Sequence, residues 1–138
     1  MSDLKGRAGV VLYFYPKDST PGCTIESQDF SQMKADFERH GWIVLGVSRD
    51  SVASHEKFRD KYNLKHDLLC DAEEELCAAF DVIHEKNMYG KKVLGVVRST
   101  FLIDRKGVLI HEWRGVKVPG HAAEVLKKCQ ELGEKGKA

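Results

Sequence analysis

The chain has 138 residues, 22 of them basic and 21 acidic, for a formal net charge of +1. That balance leaves no electrostatic footprint for nucleic acid or a membrane surface, and the length fits one domain whose core needs no disulfide or metal staples. No apolar run is long enough to span a bilayer and no secretory leader pattern is present, so a cytoplasmic protein acting on a small substrate is expected.

The polar lead-in from Met1 to Ala8 carries no visible chemistry. Val10-Val11-Leu12-Tyr13-Phe14-Tyr15 is a continuous apolar and aromatic run, which predicts a strand buried on both faces and ended by Pro16. Thr20-Pro21-Gly22-Cys23 predicts a helix start, with the Thr20 hydroxyl as cap and Pro21 in the first turn. Phe30, Met33 and Phe37 then recur at helical spacing, so the helix is expected to continue to about His40 and to close at Gly41. Trp42 to Ser48 predicts a second buried strand, and Asp50-Ser51 offers a cap for a helix carrying Val52, Phe58 and Tyr62.

Leu68-Leu69-Cys70 predicts a brief strand. Asp71-x-x-Glu74 has the pattern of a capping box opening a helix with Leu76, Cys77 and Phe80 inward. Ile83 to Lys92 is charged, contains Asn87 and Gly90, and reads as a loop. Val93–Val97 and Ser99–Ile103 are strand-like on either side of Arg98, and Asp104-Arg105-Lys106-Gly107 turns the chain into a returning strand, Val108–Trp113. A last helix is expected from Pro119 or Gly120, with Val125, Leu126, Cys129 and Leu132 on its apolar line and a frayed tail at 134–138. Alternating strands and helices followed by a hairpin and a helix imply an α/β fold, a mixed sheet covered on both faces, with sites at the carboxyl ends of its strands.

Cys23 falls at such an end. In the first turn of a helix, backbone N–H groups without intrahelical acceptors and the positive end of the dipole favour a thiolate over a thiol. The cysteines 23, 70, 77 and 129 form neither a Cys-x-x-Cys pair nor a secreted disulfide framework, and the six histidines show no metal-ligand spacing. Cys129 lies on an apolar stripe and reads as packing.

Pro16-x-x-x-Thr20-x-x-Cys23 within Tyr13–Thr24 resembles the active-site pattern of peroxiredoxins, and of their Q-type branch in particular, also called bacterioferritin comigratory protein. Leu45–Ser51, Lys86–Lys91 and Arg98–Asp104 match that branch in order and spacing. The resemblance implies a thioredoxin-like fold over residues 6–133, lacking the family's amino-terminal hairpin. It also implies reduction of hydrogen peroxide and organic hydroperoxides, with no metal or organic cofactor. In that scheme Cys23 is the peroxidatic nucleophile and becomes a sulfenic acid. Thr20 holds the peroxide and the sulfur, Pro16 shields the thiolate, and Arg98 supplies positive charge. The reductant would be thioredoxin, glutaredoxin or a small thiol, acting on a monomer or a weak dimer.

Gln28 and Arg59 occupy the two positions at which Q-type members carry a resolving cysteine. Either Cys77 or Cys70 resolves Cys23, or an external thiol reduces the sulfenic acid directly, the default expectation. A general disulfide oxidoreductase and a non-catalytic thioredoxin-like binding or holdase module are the competing readings. The first would want Cys-x-x-Cys.

Overall fold

A computed structural model describes residues 9–18, 20–88, 90–104 and 106–136. The polar lead-in and the last two residues of the expected tail lie outside them. Among the described residues, five strands form one sheet in the order β3-β2-β1-β6-β7. β1 (Gly9–Phe14) is its centre, parallel to β2 (Trp42–Ser48) and antiparallel to β6 (Ser99–Ile103). β3 (Asp67–Cys70) adds parallel to β2, and β7 (Leu109–Arg114) antiparallel to β6. β1, with a neighbour on each side and a covered face above and below, is buried at every residue, as its unbroken apolar run requires.

Alternation along β1 divides the core in two. Val11, Tyr13 and Tyr15 face Phe30 of α1 (Pro21–Gln32), Phe37 of α2 (Lys34–Arg39), Phe58 of α3 (Val52–Tyr62), and Val125 and Cys129 of α5 (His121–Gly136). Val10, Leu12 and Phe14 belong to the opposite cluster, with Cys77 of α4 (Glu75–Ala79), Val82 and Val96. Both faces are covered, but very unequally: long helices on one, a short helix and a hairpin on the other.

Several local expectations change. The helix from Pro21 breaks at Met33, whose N–H reaches both Asp29 and Phe30 carbonyls, so α1 and α2 are separate segments. Ser51 caps α3 as expected, its hydroxyl accepting the Ser54 N–H at 3.1 Å. The capping box at Asp71 does not form. Glu74 adopts a left-handed conformation (φ 61°), and the Asp71 carboxylate reaches further, accepting the N–H groups of Leu76 at 3.1 Å and Cys77 at 2.8 Å.

The largest correction concerns Ile83 to Lys92. Instead of a loop, β4 (Ile83–Met88) pairs antiparallel with β5 (Lys91–Val96) in a sheet of its own, turning at Gly90 with φ 78°. A positive φ at that point suits glycine and allows the tight turn. α5 continues to Gly136, so residues 134–136 of the expected tail are helical backbone.

Candidate active site

Residues far apart in sequence converge where β1 ends. Phe14 pairs with Ser99, so Arg98, just before β6, lies at the same end of the sheet as Pro16 and the α1 start. Cys23 sits in the first turn of α1 and is 1% exposed. The Arg98 guanidinium donates from Nη2 to Cys23 Sγ at 3.3 Å and from Nη1 to Glu26 Oε1 at 2.7 Å. One planar cation therefore bridges the sulfur and a carboxylate one helical turn further on. Gly22 leaves room for it: a Cβ there would stand 3.2 Å from Arg98 Nη2, so a larger side chain would press on the guanidinium.

Glu26 is a member of this site that the sequence reading did not pick out. It is 1% exposed, and its Oε2 has no hydrogen-bond partner among the described residues. Burial raises its pKa to about 7 against the opposing pull of Arg98, with Asp29 adding to the rise. Burial also works against the charge of Arg98, but Glu26 and the Cys23 sulfur outweigh it and hold its pKa above the ordinary value. The signal for Glu26 was its register. Cys23, Glu26 and Phe30 share one helix face, and an acidic residue on an inward stripe needs a partner.

Thr20 occupies the N-cap position with extended backbone (φ −79°, ψ 152°), and its carbonyl accepts the Thr24 N–H at 2.8 Å. Its hydroxyl does not cap the helix as expected. It donates instead to the Lys17 carbonyl at 2.8 Å, leaving the oxygen lone pairs available to another donor. Pro16 is half-buried in the bend that follows β1. The helix start itself presents the Gly22 and Cys23 N–H groups, which have no intrahelical acceptor.

The two cysteines weighed as resolving partners have different surroundings. Cys77 is fully buried on the other face of the sheet, where burial, with the Asp71 carboxylate beside it, pushes its pKa up to about 12. Cys70 is exposed at the end of β3. All four cysteines are free thiols, and Cys129 packs among the helices, its pKa also pushed by burial up to about 12. Gln28 lines an open groove between α1, α2 and the end of α3, and Arg59 faces Asp67 at 3.7 Å. Among the described residues, no group of three or more His, Cys, Asp or Glu side chains is placed to hold a metal ion, and no helix is long and apolar enough to cross a membrane.

A thiol enzyme of the thioredoxin-like class is what this sheet order, together with a cysteine set at a helix start against an arginine, defines. Residues 1–112 match the AhpC/TSA family, and the chain belongs to that family. Over 125 residues it is 55% identical to peroxiredoxin Bcp of Xanthomonas campestris, covering 89% of this chain and 78% of that one. It is 50% identical to peroxiredoxin Bcp of Bacillus subtilis, covering 98% and 85%. A solved structure of the Xanthomonas campestris bacterioferritin comigratory protein, described as a trapped intermediate or ligand complex bearing on alkyl peroxide reduction, superposes with a TM-score of 0.88 at 51% identity. That superposition covers 92% of this chain and 81% of the other.

Proposed function

We propose that the chain reduces hydroperoxides at Cys23, with Arg98, Thr20 and Pro16 shaping the reaction. The observation that carries this assignment is the contact between Arg98 and Cys23 Sγ, made at the start of a helix and braced by Glu26. A cation and free helix N–H groups favour negative charge on sulfur. The thiolate attacks the nearer peroxide oxygen, the O–O bond breaks, and the leaving oxygen departs with a proton as alcohol or water, leaving Cys23 as a sulfenic acid. The same donors can stabilise charge building on the departing oxygen. Thr20, with its hydrogen directed to Lys17, is suited to accept the O–H of the peroxide. Pro16 closes the strand side of the pocket and limits water.

For the second half of the cycle we infer reduction by an external thiol, thioredoxin, glutaredoxin or a small thiol. One thiol displaces water from the sulfenic acid to form a mixed disulfide, and a second releases Cys23 and a disulfide. The separation of Cys23 and Cys77 on opposite faces supports this reading. Every group named comes from one chain, so a monomer suffices, and a cytoplasmic setting suits four free thiols.

The test follows peroxide consumption with dithiothreitol in the wild type and in Cys23→Ser. Loss of on the order of 10³-fold or more is expected, as for removal of a catalytic nucleophile. Equal rates would end the assignment. Peroxide-treated protein without reductant should carry a dimedone adduct on Cys23. A quantitative Cys23–Cys77 or Cys23–Cys70 disulfide in the mass spectrum would instead make the cycle intramolecular.

A further inference from the structure

The loop between β1 and α1 carries Pro16 and Thr20. At its start the Tyr15 N–H donates to the Val47 carbonyl of β2 at 3.0 Å. Beyond that bond the contacts of the described loop residues with α3 and the turn before it converge on Asp18. The Asp18 N–H donates to Asp50 Oδ2 at 2.8 Å. Its carboxylate accepts the Tyr15 hydroxyl at 2.6 Å and the Ser54 hydroxyl at 2.8 Å, and faces His55 Nδ1 at 2.7 Å. The other ring nitrogen, His55 Nε2, lies 3.0 Å from the Leu69 carbonyl. The Asp18 and His55 side chains are only 3% and 5% exposed. Asp50 is fixed in turn by the Ser48 hydroxyl, at 2.7 Å.

A carboxylate and a carbonyl can only accept, so both His55 nitrogens must donate and the ring is an imidazolium. Burial opposes that charge, but the Asp18 hydrogen bond and charge, the Leu69 carbonyl and the Asp50 charge together raise the His55 pKa. Burial likewise opposes ionisation of Asp18, yet bonds from His55, Tyr15 and Ser54 bring its pKa below the ordinary value. The pair is thus a sealed ion pair whose members hold different elements: Asp18 the nucleophile's loop, His55 the first turn of α3 and the end of β3.

We propose that Asp18 and His55 are positioning residues, a latch that fixes the Pro16–Thr20 loop and with it the start of α1 around Cys23. The proposal rests on the peroxidase reading for its catalytic consequence, but not for its structural one. Breaking either partner strands a buried charge, and past the Tyr15 N–H bond to the Val47 carbonyl the described loop residues show no second side-chain anchor of this kind. The sign of the pH dependence follows. The contribution of Asp18 is lost as pH falls below the ordinary carboxylate range. That of His55 is lost as pH rises through a value above its ordinary one of about 6.5. Between these limits the latch is shut.

Hydrogen exchange on the full chain tests it without peroxide. In Asp18→Asn and His55→Gln, a peptide spanning 15–24 should exchange at least about tenfold faster while peptides from α5 are unchanged. In the same variants kcat/KM for peroxide should fall about tenfold. The wild-type decline above the His55 titration should be absent from His55→Gln, which cannot titrate. Should Asp18→Asn fail to fold, Ser54→Ala, which removes one donor to Asp18, decides by the same exchange readout. Unchanged exchange at 15–24, or exchange accelerated equally over the whole chain, overturns the proposal. Faster exchange with a peroxide rate within about twofold of wild type overturns the positioning role and keeps the fold intact.

Discussion

Cys23 and Cys77 lie on opposite faces of one sheet, and solvent reaches neither: they are 1% and 0% exposed. What differs is the charge next to the sulfur. Cys23 has the Arg98 guanidinium at 3.3 Å, while Cys77 has its own N–H bonded to the Asp71 carboxylate, an anion that adds to the effect of burial and keeps the thiol protonated. Desolvation alone makes a thiol inert. On the peroxidase reading, reactivity at a buried cysteine needs a cation brought in with it, and the cation beside Cys23 is Arg98, itself bonded to Glu26.

Removing that cation is the hardest blow to the contrast. Arg98→Met should lower kcat/KM for peroxide by on the order of 10²-fold or more, since a donor aimed at the reacting charge is lost. A steady-state series in peroxide measures this. A loss under tenfold would place the activation in the helix start and not in Arg98.

Glu26→Gln tests the brace, and pH supplies the sign. A carboxyl whose folded pKa is raised, here from 4.5 to about 7, favours the folded state while protonated. That contribution is present below its unfolded value and is lost as pH climbs to the folded one. Urea unfolding of the wild type relative to Glu26→Gln should therefore show a decline of on the order of 3 kcal/mol between those limits and a plateau above them. A flat difference would mean that Glu26 is ionised throughout. The variant keeps an acceptor for Arg98, so its peroxidase activity should fall by less than about tenfold, less than in Arg98→Met.

The smallest effect on activity belongs to the other face. Cys77→Ala removes a buried sulfur from a packed cluster and should cost about 1–2 kcal/mol in denaturant unfolding. Peroxide turnover with dithiothreitol should stay within about twofold of wild type, because Cys77 and Cys23 belong to separate clusters on opposite faces of the sheet. A large loss would show that the two thiols meet during the cycle.

The inequality of the two faces also explains what the sequence could tell. β1, β2, α3 and α5 are legible because each buries a regular pattern against the main sheet. The place of Cys23 at a helix start is legible from Thr20-Pro21-Gly22, whereas the roles expected of Thr20, Pro16 and Arg98 come only from the family resemblance. The β4–β5 hairpin is not legible. Among the described residues its strands pair with each other and not with the main sheet, so His84, Glu85 and Lys86 give the polar composition of a loop. The break at Met33 leaves the apolar spacing of Phe30 and Phe37 intact and has no sequence marker. Thr20 illustrates a different limit. A hydroxyl before Pro-Gly fits either a helix cap or a turn, and the choice of the Lys17 carbonyl is made by the loop's own path, which Asp18 anchors.

The pairing of β1 with β6 has a consequence in time as well as in space. Val10 lies opposite Ile103 and Phe14 opposite Ser99, contacts that close a loop spanning most of the chain. Such non-local contacts form late, because the entropy of closure is met before any of them is rewarded. On a ribosome, the α1 helix and its cysteine emerge long before Arg98 does. The Cys23 sulfur therefore gains its contact with Arg98 only when the central strand acquires its second neighbour.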